Sequence, residues 1–406
     1  MSTEARVAAL YEGHLTLDEA IASVPLSRRQ KIELRVLTSV IAVTRPLYWF
    51  VRKRLGRPFE ITADLEEVAA VPSPARGART RETDQGDYLT QEQIAEYEQR
   101  GVIGPLPLLT PEEATALRDW VVSEHEADWH GKSPLGADAV AALKHNDLWN
   151  INHGAIWQER NFDEMKDMAQ HPVLAQRVAS LLGDEVVVWR TQIFFVDHHQ
   201  QGTFWHSATT FTEDGDLPAL TAPEEIPEPM INVSCWIALE DVDKDNACLR
   251  LIPGTHSDVR LDTMIRRFSR DRVGFLMSME PADRRSAIIA LRYSGDIFMA
   301  GRLAFDLALR LVPDLYETAT PEHYPMRAGE CLLFSSNNLH GSYGNATDAP
   351  RLAMGIRYTS ADVGIYEGQP TIPYGTGTGN SDIDTTPFRG GVPAHTSDGT
   401  VTGGPT

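Results

Sequence analysis

The segment Trp205-His206-Ser207-Ala208 has the frame of a metal-binding His-x-Asp motif, with alanine where the carboxylate would stand. A second histidine, His340, lies far downstream and is followed by Arg351 and Arg357. Imidazole suits Fe, Zn and Cu, and two histidines with one carboxylate form the facial triad of non-haem Fe(II) sites. A methyl group cannot bind a metal. Deleting the acid leaves two protein ligands and one extra open position, which an anion from solution can fill, and chloride is the obvious candidate. The nearby acids Glu213 and Asp214 sit beside Gly215 and read as a solvated turn.

A metal with open positions takes co-ligands. A 2-oxo acid that chelates through its keto and carboxylate oxygens presents a second, distal carboxylate that needs a cation. Arginine meets that need best, because its planar fork matches a carboxylate bidentately. Arg351 begins the apolar run after His340, and Arg357 lies an even number of residues later, so one strand puts both on one face. Thr203, just before His206, adds a hydroxyl. A surface salt bridge is the ordinary reading of either arginine, but two on one face beside a histidine favour a binding role. Taken singly, His206 or His340 also reads as an ordinary hydrogen-bonded residue. That plain reading is kept for His14, His125, His130, His145, His171, His323 and His395, while His198 and His199 fall in a polar, solvated turn.

These residues need strands to hold them. Val186–Val196, 231–239, 248–252, 330–334 and 352–359 are β-branched or aromatic runs bounded by turn residues. No regular helices separate them, which points to antiparallel sheets in a sandwich or jelly roll. Helices are expected at 90–100, 111–127 and 171–182, the second announced by Thr110-Pro111-Glu112-Glu113. Residues 4–24 and 27–56 also read as helices. The latter combines a broad apolar face with Arg28, Arg29, Lys31, Arg35, Arg45, Arg52, Lys53 and Arg54, and Pro46 is expected to kink or end it. It reads as a cap packed on the main domain, with a basic amphipathic surface for an acidic partner or a lipid headgroup layer as the competing reading. The expected order is a helical extension at 1–62, a linker at 63–88, a catalytic domain at 89–362 and an irregular tail at 363–406. A helical, apolar insertion at 259–316 reads as a lid.

The 406 residues carry a net charge of −20, which opposes general binding to nucleic acid. No run of 18 apolar residues is evident, so no membrane span is expected, and the first residues lack the order of a signal peptide. Cys235, Cys248 and Cys331 each lie in an apolar, strand-like run and read as buried free thiols in a reducing cytoplasm.

The block Asp245-Asn246-Ala247-Cys248-Leu249-Arg250-Leu251-Ile252-Pro253-Gly254-Thr255-His256 and the run Met326-Arg327-Ala328-Gly329-Glu330 leading to His340 resemble the phytanoyl-CoA dioxygenase superfamily. The likeness covers about 90 to 360. The runs Trp189–Phe195 and Trp205–Phe211, with Arg351 through Arg357-Tyr358, resemble most the superfamily's aliphatic halogenases of the syringomycin threonine chlorinase type. That resemblance implies a mainly β chain with helices: a double-stranded β-helix (jelly roll, cupin-like) core, a helical N-terminal extension and a helical lid insertion. It implies Fe(II) on His206 and His340, and 2-oxoglutarate held by Arg351, Thr203 and Gln192. It implies chloride at the place left by Ala208, with Phe211, Ser234 and Arg357 around the halide and O2 as co-substrate. Ser234 stands where those enzymes have threonine. The implied reaction is chlorination of an unactivated aliphatic carbon in secondary metabolism, on a small molecule either tethered to an acyl or peptidyl carrier protein or free. The alternatives are a hydroxylase of the same superfamily and a non-catalytic binding scaffold.

Overall fold

The computed structural model describes residues 21–56, 86–126, 159, 162–200, 202–203, 206–207, 220–226, 230–258, 260, 272–289, 292, 321–365 and 392–396. In chain order these form α1 (Arg28–Arg54), α2 (Gln91–Arg100), β1 (Val102–Pro107), α3 (Pro111–Glu126), α4 (Asp163–Ala169), α5 (Pro172–Leu182), β2 (Val186–Val196) and β3 (Leu220–Thr221). There follow β4 (Val233–Ala238), β5 (Leu249–Ile252), α6 (Arg272–Ser278), α7 (Pro281–Ile288), β6 (Glu322–Tyr324), β7 (Glu330–Ser335), β8 (Leu339–Ser342), β9 (Arg351–Ser360), β10 (Gly364–Ile365) and β11 (Val392–His395).

The strands make a six-stranded antiparallel sheet in the order β1-β7-β4-β9-β2-β11 and a three-stranded sheet in the order β6-β5-β8, with β10 paired to β3. This is the mainly antiparallel, jelly-roll architecture with helices that the sequence pattern points to. Side chains alternate between faces. On the outer face of the large sheet Val188, Ile193, Val233, Cys235, Ile237, Leu333, Met354, Ile356 and Tyr358 pack against α4 and α5. On the inner face Trp236, Ala238, Leu332, Phe334 and Ala353 meet Leu249 and Leu251 of the small sheet. Core packing thus fixes which residues look into the space between the sheets.

Local signals place the helices well. Thr90 caps α2 with a capping box to Gln93, and α2 ends at Gly101 in the left-handed region, φ 66°. Adding a Cβ to Gly101 would put it 2.5 Å from the His256 ring, so glycine is also needed there for close approach. Cys235, Cys248 and Cys331 are buried and free.

Four expectations are corrected. Pro46 does not end α1, which runs to Arg54; a helix of 27 residues with a Ser27 capping box tolerates one missing N–H. The view of α1 as a packed cap holds for one side only, since Ile32, Val36, Val40, Val43, Leu47 and Phe50 are exposed. By length and composition alone α1 is long and apolar enough to cross a membrane, with Arg28, Arg29 and Lys31 near one end and Arg52, Lys53 and Arg54 at the other. The tail is not wholly irregular. β11 pairs with the edge of β2, and Ala394 is fully buried, because a short strand with Pro393 is compatible with an edge position. At the linker boundary, Tyr88 already packs on the core and Asp87 N–H donates to Gln176 Oε1. Of the insertion, α6 and α7 are helical; the run 303–311 lies outside the described residues, as do residues 1–20.

Candidate metal and 2-oxo-acid site

His340 lies on β8, opposite Leu251 of β5 and therefore on the inner face of the small sheet. His206 forms a two-way backbone bridge with it: each N–H donates to the other's carbonyl at 2.9 Å. The imidazole centroids are 4.3 Å apart. The Phe334 ring lies 4.9 Å from His340, which ties the pair to the inner face of the large sheet.

The tautomer of His340 is set by its neighbour. Its Nδ1 lies 2.7 Å from the Asn338 carbonyl oxygen, which only accepts, so Nδ1 carries the hydrogen and Nε2 keeps the lone pair. Burial, then the nearby His206 and Arg357, hold its pKa well below the usual histidine range. A neutral imidazole oriented by a carbonyl is what a metal ligand requires.

Asn338 was not apparent from the sequence, although it organises this corner. Its Nδ2 donates to the Gly101 carbonyl at 2.7 Å and the Arg100 carbonyl at 3.1 Å. Its Oδ1 accepts from His256 N–H at 2.9 Å, and Leu339 N–H donates to Thr255 Oγ1 at 2.9 Å. The turn Pro253-Gly254-Thr255-His256 thus acts as a brace for the strand bearing His340. Only the fold brings residues 100, 256 and 338 together.

Thr203 sits against Ser342. Thr203 N–H donates to Ser342 Oγ at 3.0 Å and Ser342 N–H to Thr203 Oγ1 at 2.8 Å. Gly202 makes this approach possible, because a Cβ there would fall 2.2 Å from the Ser342 carbonyl oxygen. Ser342, another residue missed in the sequence, shares the inner face with His340.

Register places the remaining residues. Arg351 and Arg357 of β9 share the inner face with Trp236 and Ser234 of β4, and with Gln192 and Arg190 of β2. Arg351 is 2% exposed, stacks 5.2 Å from the Trp236 ring centroid and donates through Nη2 to the Ala247 carbonyl at 2.8 Å. Its Nε and Nη1 are buried and have no partner among the described residues. Burial pushes its pKa down to about 10, so it stays cationic at neutral pH. A buried guanidinium with two idle donors is costly unless an anion joins it. Farther along the face, Arg190 and Arg357 lie near the Trp189 ring at 5.5 and 6.0 Å, and Arg190 Nη2 donates to Gln192 Oε1 at 3.3 Å. Ser234 Oγ and Ser336 Oγ are 2.9 Å apart.

The fit to a metal with a 2-oxo acid rests on two observations: an opposed imidazole pair with one ring fixed in the ligating tautomer, and a buried guanidinium with two donors unbonded among the described residues. Among the described residues no third His, Cys, Asp or Glu joins the pair. Ala208, Phe211, Glu213 and Asp214 lie outside the described residues. His14, His130 and His145, read as ordinary, lie outside the described residues. His198 and His199 are exposed beside Asp197 and Asp348, and His395 bonds to Tyr88 and the Asp184 carbonyl.

A family model described as phytanoyl-CoA dioxygenase matches residues 97–353. Ectoine dioxygenase of Nocardia farcinica (strain IFM 10152) is 24% identical over 286 residues, which is 68% of this chain and 80% of that protein. Among solved structures, CytC3 with Fe(II) and alpha-ketoglutarate aligns at 20% identity and TM-score 0.48, over 74% of this chain and 87% of that one. EctD from S. alaskensis with 2-oxoglutarate and 5-hydroxyectoine aligns at 17% identity and TM-score 0.45, over 73% and 84%.

Proposed function

Because the chain belongs to the phytanoyl-CoA dioxygenase family of Fe(II)/2-oxoglutarate-dependent oxygenases, we propose that it is a halogenase of that chemistry, placing chloride on an unactivated aliphatic carbon. The observation that carries this reading is Ala208, two residues after one histidine of the opposed pair. In this reading His206 and His340 hold Fe(II), and Ala208 leaves a coordination position to the halide. Arg351 takes the distal carboxylate of 2-oxoglutarate with its idle Nε and Nη1, supported by Thr203 and Gln192. Phe211, Ser234 and Arg357 surround the halide. When bound, iron, 2-oxoglutarate and O2 supply the oxidation that removes the substrate hydrogen, giving succinate and CO2, and the halide takes the hydrogen's place.

The protein's part is orientation. Burial keeps His340 neutral, the Asn338 carbonyl fixes its tautomer and aims it, and the Thr255 brace holds its strand. The substrate is a small molecule, either tethered to a carrier protein or free. The likeness to ectoine dioxygenase supports a second reading, hydroxylation.

An anaerobic titration separates the two without knowledge of the substrate. The absorption of the Fe(II)–2-oxoglutarate complex is followed as chloride, then bromide, is added. The halogenase reading expects a saturable halide response in the parent and its loss in Ala208→Asp, with 2-oxoglutarate binding retained. A parent indifferent to halide overturns it in favour of hydroxylation. A protein that binds neither Fe(II) nor 2-oxoglutarate is a scaffold.

A further inference from the structure

Ile32, Val36, Val40, Val43, Leu47 and Phe50 are each between 50% and 79% exposed. At 3.6 residues per turn they fall within an arc of about 80°, a stripe about 27 Å long. Leu34 and Ile41, on the opposite side, are buried at 3% and 8%. There α1 packs against α7, and the ion pair Glu33–Arg292 at 2.6 Å adds a second tie. The side facing the protein is therefore used, and the apolar stripe faces away from it.

Charge selects the occupant. α1 carries eight basic side chains and one acidic, Glu33, with clusters at Arg28-Arg29-Lys31 and Arg52-Lys53-Arg54. The four-three spacing of Val36, Val40, Val43, Leu47 and Phe50 would suit pairing with a second α1. Either orientation of that pair, however, brings basic cluster against basic cluster. The whole chain is at −20, so the positive charge of α1 stands out against an acidic body. Tyr48, Trp49 and Phe50 beside Arg52 give one end the aromatic-and-basic character of an interfacial segment.

We propose that α1 docks the protein on an anionic lipid surface, lying flat with its apolar stripe at the acyl boundary and its basic ends among the headgroups. The helix is long and apolar enough to span a bilayer. Packing of α7 against it instead sets it parallel to the surface, since a spanning helix would need lipid on that side too. This does not rest on the reaction assigned above.

The test is flotation of the full chain with phosphatidylcholine vesicles, with and without phosphatidylglycerol, at low and high salt. Binding is expected only with phosphatidylglycerol, weakening as salt rises. Val43→Glu/Leu47→Glu and, separately, Arg52→Gln/Lys53→Gln/Arg54→Gln are each expected to weaken it by about tenfold or more. All five positions lie on the solvent side of the α7 contact or at the helix end, and unchanged thermal unfolding confirms that the variants fold. No binding, equal binding to both vesicles, or self-association lost in Val43→Glu/Leu47→Glu without vesicle binding overturns the proposal.

Discussion

Arg351 is the residue whose chemistry is most constrained. Its charge is buried, its stacking partner is fixed, and two donors wait for an anion. Arg351→Ala is expected to weaken 2-oxoglutarate binding by about a hundredfold or more, since truncating one member of a buried charge pair costs several kcal/mol. Arg351→Lys keeps the charge without the fork and should fall between. Anaerobic 2-oxoglutarate titration reads both, and an unchanged dependence removes Arg351 from the role. His256 gives a pH signature at the same scale. Burial pushes its pKa down to about 4, against about 6.5 in the unfolded chain. Between those values the unfolded chain binds a proton that the folded one does not, so stability rises with pH. The contribution is complete above about pH 6.5 and is lost as pH falls towards 4. In His256→Asn the acid limb of stability against pH should flatten by up to about 1.4 kcal/mol per pH unit, measured by chemical denaturation. An acid limb as steep as the parent's excludes this histidine.

The strands show why the elements were easier to read than the residue roles. β2 spans Val186–Val196, as its β-branched and aromatic run indicates, and β9 differs from its expected bounds by one residue at each end. A continuous β-branched and aromatic run leaves a strong mark, because each strand packs both of its faces. β11 leaves a weak one: it is short, contains proline, and lies in a stretch of Gly, Thr and Pro. Its strand character comes from β2, which offers an open edge. Ala394→Asp should destabilise the fold by about 2–4 kcal/mol, by placing a charge where Ala394 is fully buried. Pro393→Asp, on the exposed side of the same strand, should change little. Equal effects in urea unfolding would show that β11 does not add to the sheet.

At the scale of the molecule, the site joins two sheets that are separate in sequence. His206 and His340 meet by a backbone bridge, and His340 touches Phe334 of the large sheet. Ligands that bind across this junction hold the sheets together. Fe(II) with 2-oxoglutarate, without oxygen and at about 100 times its dissociation constant, should add about 2.7 kcal/mol of stability. The gain should appear as a rise in Tm that a chelator reverses, and no rise would mean that the pair does not bind metal.

The sequence by itself determined the residue types and five of the strands, but not β8, which carries His340. It showed two histidines, an alanine in place of an acid, arginines at even spacing, and β-branched or aromatic runs bounded by turn residues. These are local properties, carried by spacing along the chain. Tertiary structure alone decided that Asn338, Ser342 and the Thr255 turn support the site, because their partners lie 80 or more residues away for Asn338 with Thr255 and His256, and 139 for Ser342 with Thr203. It also decided which side of α1 is covered. An amphipathic pattern marks an apolar face, but whether that face meets a protein core or remains exposed depends on what the rest of the chain brings against it.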